Sequence, residues 1–325
     1  MAIEIKFASF NLYNFQKPGE KVYKKVVQPS DYKKKRRWTR EMLLNMNADV
    51  IAFQELWSPD CLVDTFDIPE LSHYQLHFIK PSWYNIAVAV AVKAPWVVSD
   101  KKVIKAFPFK KMVKVDDGDG EDDQLELSIK SFSRSLLKLK IHHSERPDVP
   151  TTTVFAAHLK SKLPAQVGQV NAKHRKSMGS AISTIRRTAE AAALRWLLTN
   201  HLKGTHKPTV LIGDLNDDPR SNTLALITEQ PNLSMTAKGS DSSLYSALQM
   251  QQLQSYRDVF YTHEFNRMKD TLDHILVSEE FFVNSKDSHW QHKHTQVWND
   301  HLEDNQAHTG DHGIICASFR YKPNA

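Results

Sequence analysis

The chain has 325 residues, 41% apolar and 25% charged, with ten Gly and 14 Pro scattered without a period, which excludes collagen-like, low-complexity and solenoid architectures. The longest apolar run, Ile86 to Val92, is far short of the roughly 20 residues that span a bilayer, and the opening Met-Ala-Ile-Glu-Ile-Lys lacks a signal peptide's basic and apolar stretches. The expectation is a protein with no membrane insertion and a cytoplasmic location. From the start of the chain, Glu4 to Phe10 reads as a strand leading into a turn. A basic helix from Lys33 to Asn47 places Trp38, Met42 and Met46 on one face, followed by a buried strand from Ala48 to Glu55. Cys61 and Cys316 are the two cysteines; they offer neither a disulfide framework nor a thiolate zinc site and read as buried thiols.

Further β-rich runs are Ile86 to Val92, Leu125 to Phe132, Leu136 to Ile141 and Thr152 to Ala157. Thr184 to Leu202 is an Ala-rich helix whose apolar stripe includes Leu194, Leu197 and Leu198, with Gly204 as its stop. Strands over Thr209 to Ile212, Thr271 to Val277 and Gly313 to Phe319 complete the pattern. Strands and helices alternate from end to end without a linker, so one α/β domain over residues 1–325 is expected.

Charge is polarised along the chain. The net charge is +6, but residues 1–40 carry 11 Lys or Arg and three acids, and residues 158–187 carry seven Lys or Arg and no acid. The rest has 25 basic and 34 acidic residues. An acid-rich, glycine-interleaved stretch at 116–123 misses the ligand order of an EF-hand and reads as a solvated turn.

Several apolar strands end in a polar residue: Asn11, Gln54-Glu55, His158 and Asp214 with Asn216, the last two on one face if the backbone stays extended. Leu272-Asp273-His274 and Gly310-Asp311-His312 open the last strands. A single Asp after a strand is ordinarily a turn former, and a lone His158 reads equally as a satisfied core residue. Carboxylates beside buried strands are costly unless paired, hydrogen-bonded or on a metal. Glu55, Asp214 and Asp311 without clustered thiolates suit a hard, oxygen-loving cation such as Mg²⁺ or Mn²⁺.

The ordered set Phe-Asn11-Leu-Tyr-Asn, Asp49-Val-Ile-Ala-Phe-Gln54-Glu55, Arg134-Ser-Leu-Leu, His158-Leu-Lys160-Ser-Lys162, Gly213-Asp214-Leu-Asn216-Asp217, Leu-Asp273-His274 and Gly-Asp311-His312 resembles the endonuclease/exonuclease/phosphatase family. That resemblance covers residues 5–319 and implies a four-layer α/β/β/α sandwich, two packed mixed sheets flanked by helices, with the site at one edge. It also implies Glu55, Asn11 and Asp311 as metal ligands, with Asp273 orienting His312. Asp214 and Asn216 would then orient the nucleophile or protonate the leaving group, and His158 would donate to a phosphoryl oxygen. Two departures stand out. Gly310 replaces the Ser usual in Ser-Asp-His, and residues 83–86 match the family loosely.

Arg134, Lys160, Lys162 and Arg187 are candidate substrate-binding residues; the competing reading is solvation for the lysines and pairing with an acid for Arg187. Lys24-Lys25 and Lys33 to Arg37 fit either a solvated face or a track along a nucleic-acid backbone. His292-X-His294 invites a second, zinc site, and Trp290 and Trp298 read as packing anchors or base-stacking platforms. The leading functional reading is Mg²⁺-dependent hydrolysis of DNA or RNA by activated water, with no obligate protein partner. The alternatives are a phosphatase or phosphodiesterase of small or lipid-headgroup esters, and a catalytically dead phosphate-binding module.

Overall fold

The computed structural model describes residues 2–80, 86–113, 126–168, 170–234, 236–255, 260–304, 306 and 308–323. The acidic stretch at 116–123 and the loosely matching residues 83–85 lie outside the described residues. In chain order the sheet strands are β1 (Glu4–Phe15), β2 (Val50–Leu56), β3 (Tyr74–Phe78), β4 (Ala87–Lys93), β5 (Trp96–Ala106), β6 (Ser131–His143) and β7 (Thr152–His158). They continue with β8 (Thr209–Asp214), β9 (Tyr245–Ser246), β10 (Asp273–Val277), β11 (Trp290–Trp298) and β12 (Ile314–Tyr321). The helices are α1 (Pro29–Met46), α2 (Pro59–Phe66), α3 (Arg175–Leu202), α4 (Asn222–Thr228) and α5 (Ala247–Gln254).

Two six-stranded sheets result, in the orders β11-β12-β1-β2-β4-β3 and β9-β10-β8-β7-β6-β5. Each is mixed. β1 runs parallel to β2, with Asn11 opposite Gln54, and β7 runs parallel to β8, with His158 opposite Asp214; the other described pairings within these sheets are antiparallel.

Period-two alternation decides which side chains meet between the sheets. The inward face of β1 reads Ile5, Phe7, Ser9, Asn11, that of β7 Val154, Ala156, His158, and that of β8 Val210, Ile212, Asp214, with the apolar members packed in one core. Each inward row is apolar over most of its length and turns polar at the same edge. The outward residues pack under helices: Phe10, Ile51 and Phe53 beneath Leu43 and Met46 of α1 and Leu62 of α2, and Phe155, Leu211 and Leu276 beneath Leu194 and Leu198 of α3. Burying such a Phe or Leu contributes about 1.5–3 kcal/mol, so the three apolar interfaces fix a four-layer α/β/β/α sandwich.

Two helix starts depart from the periodicity. Helix α1 begins at Pro29 rather than Lys33, because proline's fixed φ suits the first helical turn. Helix α3 begins at Arg175 rather than Thr184: its first turns expose Met178, Ile182 and Ile185 and pack small residues, Gly179 and Ser183, against the 163–165 loop, leaving no apolar stripe to read. The expected strands at 125–132 and 136–141 resolve differently too. Glu126–Leu127 pairs with Met112–Val113, and Ser131–His143 is one strand carrying an irregularity before Leu136.

The histidine pair does not form, and Trp290 takes the packing role of the two offered for it. The register of β11 shifts between His292 and His294, burying the first and exposing the second. Both nitrogens of His292 are engaged: Gln254 Nε2 donates to Nδ1 (3.2 Å), and Nε2 donates to Thr295 Oγ1 (2.8 Å), whose own proton goes to the Ala247 carbonyl. Trp290 is fully buried, stacked on Phe281 at 5.6 Å. Both cysteines are buried and free, and no helix of the described residues is long and apolar enough to cross a membrane.

Two expectations follow. Gly213 has φ +152°, and a Cβ there would lie 1.9 Å from the Ala157 carbonyl oxygen on the neighbouring strand. Gly213→Ala should therefore lower stability by about 2–4 kcal/mol in denaturant titration. Burial lowers His292 from 6.5 to about 4, so the unfolded chain takes up a proton in this window that the folded one refuses. The neutral side chain's contribution is complete above pH 6.5 and is lost as pH falls toward 4, and His292→Gln should flatten the stability–pH slope there by up to about 1.4 kcal/mol per unit.

Candidate active site

The polar ends of the inward rows converge from both sheets. Asp214 closes β8 with His158 beside it on β7 and Asp273 beside it on β10. Asn11, from the other sheet, donates through Nδ2 to Asp214 Oδ2 (3.1 Å), and His158 Nε2 lies 3.4 Å from the same oxygen. His312, just ahead of β12, is bonded through Nδ1 to Asp273 Oδ2 (2.7 Å). All five side chains are buried.

Asp214 and Asn216 do not share an extended face. The strand ends at Asp214, and Asn216 turns into the left-handed region (φ 55°), so its N–H caps Asp214 Oδ1 (2.9 Å) while its side-chain amide donates to the Leu159 carbonyl (3.1 Å). Glu55 is re-aimed by an irregularity. It adopts φ 56° where the β2–β4 register slips between Phe53 and Leu56. Its Oε2 accepts the Asn14 N–H (3.0 Å), and Asn14 Oδ1 accepts the Trp57 indole N–H (2.9 Å). Tyr13 and Asn14 both have positive φ, which brings the Tyr13 N–H to Asn11 Oδ1 (2.9 Å). Asp311 is exposed at the mouth and lines a cavity of about 350 Å³ together with Tyr13, Glu264 and Thr309.

The electrostatics follow from burial. Desolvation, then repulsion from Asp311, raises the Glu55 pKa. Desolvation also raises Asp214, against the opposing pull of His312. Burial lowers His158 well below its ordinary value, helped by the Arg134 charge, and its Nδ1 has no hydrogen-bond partner among the described residues. Burial opposes the His312 cation, but Asp273 and Asp214 outweigh it and hold its pKa well above 6.5. Ligand atoms of Asp214, Asp273 and His312 lie within 4.8 Å of one another. These three are engaged already, by His312 on Asp273 and by Asn11 and Asn216 on Asp214. The Glu55–Asp311 pair has no described cation bonded to it, which suits an added one.

The four basic candidates part company. Arg134 donates from Nη1 to the Leu159 carbonyl (3.0 Å) and stands beside His158. The Lys160 ammonium curls back onto Ser161 and the Leu163 carbonyl (3.2 Å). Lys162 pairs with Asp217 Oδ1 (3.3 Å), and buried Arg187 with Asp217 Oδ2 (3.2 Å), the acid pairing weighed against its substrate role.

Two neighbours escaped the sequence reading. Glu190 is fully buried on α3 and accepts from the Ser133 N–H (2.7 Å) and the Lys160 N–H (2.8 Å), tying down the segments that carry Arg134 and His158. Its signal was an acid inside an alanine stripe. Lys35 faces inward in a helix whose buried positions are Tyr32, Lys35, Thr39, Leu43 and Met46. That three-and-four spacing singles it out from the basic run around it. Burial pushes its pKa down to about 8, against the attraction of Asp311 and Glu55.

Two mixed sheets between helices, with polar strand ends gathered at one edge, define the deoxyribonuclease I-like class of sandwiches. Residues 8–295 match the Endonuclease/Exonuclease/phosphatase family, and the chain belongs to that family, a family of phosphoester hydrolases. Curated proteins give no match to the sequence. Among solved structures, the chain is similar to Danio rerio TDP2 complexed with a single-strand DNA product, at 14% identity and a TM-score of 0.56 over 97% of this chain and 98% of that one. It is likewise similar to the human Nocturnin catalytic domain with bound sulfate, at 16% identity and a TM-score of 0.57 over 99% and 97%. A third is a Bacteroides thetaiotaomicron mannosyl-6-phosphatase, at 14% identity and a TM-score of 0.54 over 98% and 99%.

Desolvation makes the Asp214 carboxylate costly to fold. Its raised pKa means that ionisation costs stability once the pH exceeds the unfolded value of about 3.9. Asp214→Asn removes that cost but sets its NH2 against one of the two N–H donors, from Asn11 and Asn216, so it should leave the thermal midpoint at pH 8 close to that of the wild type while lowering phosphoester turnover at least about 100-fold. A variant that unfolds, or that retains activity, would contradict this reading of the site.

Proposed function

We propose that the protein is a divalent-metal-dependent phosphodiesterase acting on DNA or RNA, with residues 1–325 as one catalytic domain. The observation that carries the reading is the meeting, at one edge, of an oxygen-donor set (Asn11, Glu55, Asp311) with the hydrogen-bonded His312–Asp273 pair and Asp214. Glu55 and Asp311 place two mutually repelling carboxylates together. This all-oxygen set fits Mg²⁺ or Mn²⁺, held by Glu55 with Asn11 and Asp311. When bound, such an ion supplies Lewis-acid stabilisation of charge on phosphoryl oxygens.

The chain's own groups do the rest. Asp273 accepts from His312 Nδ1 and so presents Nε2 to substrate in a fixed orientation. Asn11 and the Asn216 N–H aim Asp214 at the water or the leaving oxygen, and Arg134 adds positive charge beside His158, which meets a phosphoryl oxygen. For the substrate, the support is the acid-free stretch at 158–187: His158 opens it, and Lys173, Arg175 and Lys176 are exposed there. These cations can neutralise phosphates beyond the one being cleaved.

Purified protein tested with Mg²⁺, Mn²⁺ or EDTA against plasmid, single-stranded DNA, RNA, inositol phosphates, sphingomyelin and an aryl phosphodiester should cleave a nucleic acid with metal and nothing with EDTA. Turnover of a small ester alone would replace the nuclease reading with the small-phosphoester one. Glu55→Ala and His312→Ala should each lower kcat at least about 100-fold.

A further inference from the structure

Beside the carboxylate site runs a second concavity of about 580 Å³, lined by Tyr13, Val22, Tyr23, Lys24, Lys25 and Lys35 among others. Lys35 is its unusual member. The residue is only 8% exposed, and among the described residues no hydrogen bond or ion pair reaches its ammonium; its one described partner is the Tyr13 ring, 5.3 Å away. Its ammonium is not among the fully enclosed polar atoms and so opens onto the concavity, but a charge on so buried a side chain with no counter-ion bonded to it is costly. Lys24 and Lys25 stand at the rim with no acid paired to them among the described residues, and Tyr23, 68% exposed, meets the Trp57 ring edge to face at 5.3 Å. Asp31, also on the lining, is the acid among them.

The groove opens toward the site. Tyr13 lines both this concavity and the one holding Asp311, and the adjoining Asn14 N–H is bonded to Glu55. An extended strand with its cleaved phosphate at Glu55 would therefore pass its neighbouring unit over Tyr13. Resting on the nuclease reading above, we propose that this groove is a subsite for the nucleotide adjacent to the scissile bond. Lys35 receives that nucleotide's phosphate, and the Tyr13 and Tyr23 rings receive its base. A phosphate supplies the directly bonded acceptor that the Lys35 ammonium lacks, and aromatic rings accept any base by its face.

The experiment uses the full chain with Mg²⁺, Lys35→Gln and the rim variant Tyr23→Ala. The substrates are a short single-stranded oligodeoxynucleotide and an aryl phosphodiester with one phosphate. Lys35→Gln should lower the oligonucleotide-to-aryl-ester ratio of kcat/KM at least about fivefold, the size of one lost charged contact, with the loss in KM. Uncharged methylphosphonate linkages flanking the scissile one should lower the wild-type ratio similarly and the variant's no further. Tyr23→Ala should lower the ratio in the same direction. Equal losses on both substrates, or an unchanged ratio, would overturn the subsite. Anisotropy of a labelled oligonucleotide separates this from the nuclease reading. If wild type binds but does not cleave, that reading fails alone; if Lys35→Gln and wild type bind equally, the subsite fails alone. Removing a buried charge should leave the thermal midpoint of Lys35→Gln unchanged or higher, so a fall in midpoint would assign Lys35 to the fold.

Discussion

The hydrogen bond from Asn11 to Asp214 joins two sheets whose facing rows pack mostly through apolar side chains. An apolar interface holds layers together without fixing how far one slides over the other, because burial is non-directional. The direction comes from the polar edge, where Asn11 reaches Asp214 and His312 reaches Asp273, each pair contributed by different sheets. Buried polar contacts of this kind are demanding, since each partner left alone would be a desolvated donor or acceptor. The geometry that chemistry needs is thus the same geometry that sets the sheets in register.

Much of this was legible in the sequence because it depends on period two. Each inward row is a run of small or branched apolar residues that stops at an Asn, His or Asp, and a reader of Val154 to His158 or Val210 to Asp214 can find the stop without coordinates. What alternation cannot show is a residue that leaves the pattern. Glu55 reaches the site through a left-handed backbone and a slipped register, and Asn216 caps Asp214 through its N–H instead of lying alongside it. The start of α3 was hidden for a different reason: its first turns use Gly179 and Ser183 for close approach to a loop, and small residues give no periodic signal.

The charge distribution also looks different in three dimensions. The acid-free segment after His158 holds seven cations in sequence, yet Lys162 and Arg187 are held by Asp217, and Lys160 is folded onto its own loop. The next cations along it, Lys173, Arg175 and Lys176, are exposed. In the other basic segment, a run of five cations divides by helical spacing, with Lys35 turned inward and its neighbours turned to water. Linear charge counts located the positive regions correctly but could not say which cations remain available.

The string Gly213-Asp214-Leu215-Asn216-Asp217 shows how unlike the members of one motif can be. Gly213 is there because the Ala157 carbonyl leaves no room for a Cβ, Leu215 because it fills the core under α3, and Asp217 because it anchors Arg187, Lys162 and Thr223. Only Asp214 and the amide that caps it face the candidate chemistry. A relative that had abandoned hydrolysis would still be obliged to keep most of this string in order to fold. Retention of the motif is therefore a record of architecture first, and Glu55 and Asp311, which make no bond between the sheets among the described residues, are the positions the scaffold has less reason to preserve.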